Sequence, residues 1–137
     1  MSQHYQAIRK ALSAYFADGF STTGIVWPNT VYTTSQGVPW VRFTLLFSGC
    51  ERIVMTGDPE TGREITGLVV IQTFTAPGKG DRTATALADE IATLLSEKAI
   101  PAETGKSIMT GVCEVIPIGN EGDWFQLSVQ TPFQYET

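Results

Sequence analysis

A single histidine and two cysteines supply every imidazole and thiol this chain carries. Cys50 and Cys113 lie far apart and match no zinc or thiol-redox spacing. Two readings stay open for them, reduced packed thiols or one disulfide. A secreted scaffold that depended on disulfides would carry more cysteines. His4 has no candidate partners for a zinc centre or a catalytic triad, which predicts a plain surface residue. Charge is scarce as well: 17% of residues are charged, against about 25% in ordinary domains. The net charge of −5 disfavours coating a nucleic acid, which needs a basic face to displace counterions. Long apolar runs are missing too. The longest, Leu68 to Ile71, is far too short to span a bilayer. His4, Arg9, Lys10 and Asp18 interrupt the first twenty residues, so no signal-peptide core fits there. The protein is expected to stay in the compartment that makes it.

What is present fits one domain over residues 1–137, a length at which folding buries roughly two-thirds of the chain's surface. Residues Gln3 to Asp18 carry Tyr5, Ile8, Leu12, Tyr15 and Phe16 at helical spacing, with Ser2 as N-cap and Gly19 as a left-handed C-cap. Gly24 to Trp27 is a short strand stopped by Pro28-Asn29, and Thr30 to Val38 reads as loop. Pro39 to Phe47 alternates as a strand. Ser48-Gly49 reads as a turn and Glu51 to Thr56 as the next strand. Ile65 opens a long strand, apolar on both faces near Leu68 to Ile71, in which Gly67 marks a bulge or a close backbone approach.

The turn APGKGD and the helix after it tempt a phosphate-binding reading. The glycine spacing is wrong for a P-loop, and Asp81 puts a carboxylate where the anion would sit. Asp81 is read instead as the N-cap of a helix from Arg82 to Lys98, with Ala84, Leu87, Ala88, Ile91, Leu94 and Leu95 on one stripe and Pro101 closing it. Lys106 to Pro117 and Trp124 to Tyr135 read as a final hairpin. The architecture expected is α+β: a mixed, mostly antiparallel sheet with two helices packed on one face. The predicted core is Ile8, Leu12, Phe16, Phe43, Leu45, Val70, Leu87, Ile91, Leu94, Val112, Leu127 and Val129.

No residue set amounts to a catalytic, metal or cofactor site. Ile65 through Gly78 and Trp124 through Tyr135 hold no charge, so these strands are central in the sheet, covered by a neighbouring chain, or both. Charge concentrates instead in GDPETGRE, Gly57 to Glu64, read as a hairpin tip. It is a solvated loop or a binding loop. As a binding loop its candidate interface residues are Asp58, Glu60, Thr61 and Arg63, with Arg42 and Arg52 on neighbouring strands as partners for acids across a subunit boundary.

Taken in order, HYQAIRKALSAYF, WPNTVYTTSQGVPWVRFTLLF, TGREITGLVVIQTFTAPGKGDRTATALADEIATLL and GDWFQLSVQTPFQY resemble the tail terminator proteins of long-tailed bacteriophages. That family includes the lambda-type minor tail protein U group and related tail-completion proteins. The resemblance implies a structural protein without catalytic residues or cofactor. It implies a hexameric ring that caps the tail tube, ends its polymerisation and meets the head-side connector protein. It places the protein in the host cytoplasm during assembly and then in the virion. Nucleic acid would be met only indirectly, through the ring lumen, and a membrane not at all. A head-completion or neck protein is the neighbouring alternative. A small-ligand-binding α+β domain with a pocket between sheet and helices is the alternative from another class.

Overall fold

The computed structural model describes residues 4–31, 33–34, 37–58, 61–78 and 81–137. The first helix, α1 (His4–Gly19), follows its apolar stripe and buries Ala7, Ile8, Leu12 and Phe16. Burying Ile8, Leu12 and Phe16 contributes about 1.5–3 kcal/mol each. Tyr5, expected on the stripe, is half-exposed and meets the Phe47 ring edge-on at 4.7 Å. Gly19 does not end the helix in a left-handed conformation, for it is absent from the positive-φ glycines. Its role is spatial: a Cβ there would stand 2.5 Å from Leu94 Cδ1. His4 is not a plain surface residue. It is half-buried, and its Nδ1 lies 2.9 Å from the Tyr135 hydroxyl, which in turn sits 2.6 Å from Thr104 Oγ1. This chain of polar contacts ties the start of α1 to the far end of the sheet. Ser2, the expected N-cap, lies outside the described residues.

The sheet has seven strands: β1 (Gly24–Val26), β2 (Trp40–Arg52), β3 (Arg63–Thr75), β4 (Ala99–Pro101), β5 (Ser107–Thr110), β6 (Glu114–Glu121) and β7 (Trp124–Glu136). Their spatial order is β1-β2-β3-β7-β5-β4, with β6 also on β7. Only β1 with β2 is parallel; the other pairs are antiparallel. The two charge-free stretches become β3 and β7, paired without a register break from Glu64↔Glu136 to Thr75↔Phe125. Both are central strands, as one of the two expectations for them had it.

Three boundaries depart from the expectations. Ser48-Gly49 is not a turn but a bulge inside one long strand, with a register shift between Phe47 and Gly49. Residues 53–56 are then not strand. The second helix, α2 (Arg82–Leu95), stops before Lys98. Pro101 does not close it but sits in β4, opposite Ser107. Asp81 holds the N-cap position without a side-chain bond, and its carbonyl accepts the Thr85 N–H at 2.8 Å. The stretch read as one strand, Lys106 to Pro117, divides into β5 and β6, which pair with opposite halves of β7.

Both helices lie on the face that carries Val41, Phe43, Val69, Ile71, Val129, Phe133 and Tyr135, and one apolar cluster joins all of them. Of the predicted core, Ile8, Leu12, Phe16, Phe43, Leu87, Ile91, Leu127 and Val129 are buried, and Leu45 and Leu94 pack partly against them. Val112 is wrong: it is 67% exposed in the break between β5 and β6. Val70 points to the sheet's other face, half-buried, while its neighbours Val69 and Ile71 fill the core. Gly67 is the close approach expected of it. A Cβ there would meet the Leu46 carbonyl oxygen and stand 2.7 Å from the Phe133 ring.

Candidate assembly interface

β2 and β3 continue past the last β7 pair, and residues 53–58 and 61–62 extend from them as an arm. Threonine and glycine chemistry shapes its tip. The Thr61 N–H donates to the Asp58 carbonyl at 3.3 Å. The Thr56 hydroxyl donates to the same carbonyl at 2.7 Å and lies 2.8 Å from Thr61 Oγ1. Gly62 takes φ 77°, and its carbonyl accepts the N–H groups of Ile53 and Val54. Arg52 Nη1 donates to the carbonyls of Val54 and Thr61 at 3.2 and 3.1 Å, stapling the two sides of the arm. The chain's end braces its base: the Thr137 N–H donates to the Arg63 carbonyl at 2.9 Å. Glu60 lies outside the described residues.

Asp58, Thr61, Arg63 and Arg52 therefore share one hairpin. Arg42 stands apart from them. Strict alternation puts Arg42 and Arg52 on one face, but the bulge at Ser48 reverses the phase. Arg42 pairs across from Gln72, on the face away from the helices, and Arg52 from Arg63, on the helix face. Arg42 lies 5.5 Å from the Trp40 ring and 5.1 Å from the Phe74 ring, whose planes stack at 3.9 Å. Its Nη1 also donates to Gln72 at 3.4 Å.

The register brings together charges that the sequence keeps far apart. Glu51 faces Glu64 across β2 and β3, and Glu64 faces Glu136 across β3 and β7. Three carboxylates thus cross three strands on the face away from the helices, and Arg52 faces Arg63 on the other face. Like charges directly opposite destabilise a sheet. The base of the arm is acidic on one side and basic on the other. Past Arg52 the arm exposes three consecutive apolar residues, Ile53 at 44%, Val54 at 54% and Met55 at 85%.

A groove of about 580 Å³ opens between α1 and the β1–β2 edge. Trp27, Phe43, Leu45 and Phe47 line it, with Arg9 and Lys10 from α1 beside them. The Trp27 and Phe43 rings lie 5.2 Å apart on its floor. Next to Phe47, partial burial pushes the Tyr5 phenol above its usual range, helped by the Cys50 thiol and opposed by Arg63. Cys50 and Cys113 are both free thiols, Cys50 exposed and Cys113 half-buried at 2.7 Å from Thr131 Oγ1. Of the two readings for them, the disulfide is excluded, and only Cys113 is packed.

Sequence reasoning found the arm but missed the groove and the carboxylate row. Both depend on strand register and helix placement, which alternation alone does not report. Eleven chains of solved structures match the fold. One of them aligns over 100% of this chain and 97% of its own length with a TM-score of 0.70 at 17% identity. That likeness shows a shared fold. No curated protein sequence matches the chain. The family model described as phage tail terminator protein matches residues 6–133, from the first turns of α1 to within three residues of the end of β7. On that match the chain belongs to the phage tail terminator family, whose members are structural components of the virion tail.

Proposed function

We propose that this protein caps the phage tail tube when it reaches full length, as a closed ring whose other face meets the head-side connector. Six copies is the number the family resemblance implies. Assembly takes place in the host cytoplasm and ends in the virion. The observation that carries the reading is the family match along nearly the whole chain. The geometry supports it. A platform of two fully paired strands, β3 and β7, holds an arm that offers apolar side chains to a partner. Single exposed apolar residues are ordinary, whereas a contiguous set marks an interaction surface. Two different surfaces of one subunit meeting head to tail close into a ring when the rotation permits. Asp58, Glu60, Thr61 and Arg63 would steer the approach of a partner, and Arg42 and Arg52 would face acids across a boundary.

The test is direct imaging of purified tail tubes incubated with the protein. One end of each tube is expected to carry a ring of six-fold symmetry. Tubes whose ends stay bare at saturating protein would reject the reading. Charge reversal at Glu60 and Arg63 together is expected to slow capping; an unchanged rate removes the tip from the interface.

A further inference from the structure

We propose that the arm of one copy seats in the α1–β2 groove of the next, and that this contact is the repeating joint of the assembly. The inference rests on self-association as the proposed function has it, and it names the two surfaces that meet. The groove is a demanding receptor. Its floor of Trp27, Leu45 and Phe47 asks for an apolar segment, and its cationic side asks for carboxylates beside that segment. Arg9 has no ion pair among the described residues. Lys10 has one, with Glu103 at 3.1 Å, between side chains 66% and 54% exposed. A bridge that exposed holds little and exchanges readily.

The arm of this same chain has the complementary pattern. Ile53, Val54 and Met55 are exposed in sequence, and Glu51 stands two residues before them in the row with Glu64 and Glu136. That row is repelled within its own chain, so a neighbour's cations relieve it. Apolar contact would supply the affinity, and the acid-to-cation match the orientation and register. Each subunit would give one arm and receive one. The contact is therefore heterologous, the kind that builds a ring if the rotation closes and a filament if it does not.

The experiment replaces Met55 by the photo-reactive p-benzoylphenylalanine in the full chain and irradiates it alone and with tail tubes. Intermolecular adducts are expected at peptides holding Arg9 to Ala17, Trp27 to Thr30 or Phe43 to Phe47. Adducts within one chain, on the tail-tube protein or on another surface of the second copy overturn the proposal, as does the absence of any adduct. Charge exchange gives the second readout. Glu51→Lys and Arg9→Glu should each weaken self-association about tenfold, and the double variant should recover most of it. Single variants that assemble normally, or a double variant no better than the singles, count against the joint. Melting temperatures that do not fall separate these effects from misfolding. Capping of tubes by the Met55 variant without arm-to-groove adducts sinks this joint alone. Adducts in the groove without any binding to tubes would sink the capping function and leave the joint standing.

Discussion

Gly67 has no room for a side chain, because its Cα faces the Leu46 carbonyl and the Phe133 ring. A methyl group there collides with backbone, which cannot swing aside. Gly67→Ala is expected to cost about 1–3 kcal/mol in urea denaturation, the range of overpacked cores. Gly19→Ala offers the contrast. Its added methyl meets only the tip of Leu94, a flexible side chain, and alanine favours the helix. Its stability should change by less than about 1 kcal/mol. Tyr135→Phe removes the hydroxyl shared by His4 and Thr104 and is expected to cost about 1–2 kcal/mol. At this scale the sequence was partly legible. Gly67 stood out as a glycine inside a β-branched run, the pattern of a close approach. Gly19 looked like a C-cap because it follows an apolar stripe, and only the position of Leu94 shows otherwise. His4 looked idle because its partner lies 131 residues away.

The arm is the element on which stability and assembly pull in different directions. Arg52 holds its two sides together from an exposed position, so its loss should leave global stability within about 0.5 kcal/mol. Arg52→Ala is instead expected to raise amide hydrogen exchange at Ile53 and Val54, whose N–H groups bond Gly62. Protection that stays at wild-type level would remove Arg52 from the arm's support. Glu64 stands between two other glutamates, and Glu64→Gln should stabilise the isolated chain by about 0.5 kcal/mol at low salt. The gain should shrink as salt screens the repulsion. Helix stripes and long strands were readable because apolar periodicity reports burial. The bulge at Ser48 was not. A Ser-Gly pair serves a turn or a bulge equally well, and the choice decides on which face Arg52 lies. Val112 failed for a related reason. Its alternation is in phase with Ile108 and Ile116, but the chain leaves the sheet at Gly111 and resumes on another part of β7.

At the scale of the whole molecule, scarce charge and two uncharged strands pointed to a centre of sheet or an assembly surface. The fold assigns them to the centre. Exposed apolar side chains gather in the arm, at Ile53, Val54 and Met55, and on the sheet face away from the helices, at Leu46. No motif encodes that surface, because an interface between subunits is made of register and placement and not of local pattern. The family supplies the setting, a virion tail. The proposed function adds that the protein ends tube growth from the tube's own end. The most direct measurement follows tail-tube length by electron microscopy while tube subunits polymerise, with this protein added in increasing amounts. Growth is expected to stop once one ring's worth of protein is present per tube, with subunits still in excess. Tubes that lengthen at the same rate with protein bound along their sides, or not bound at all, would contradict it.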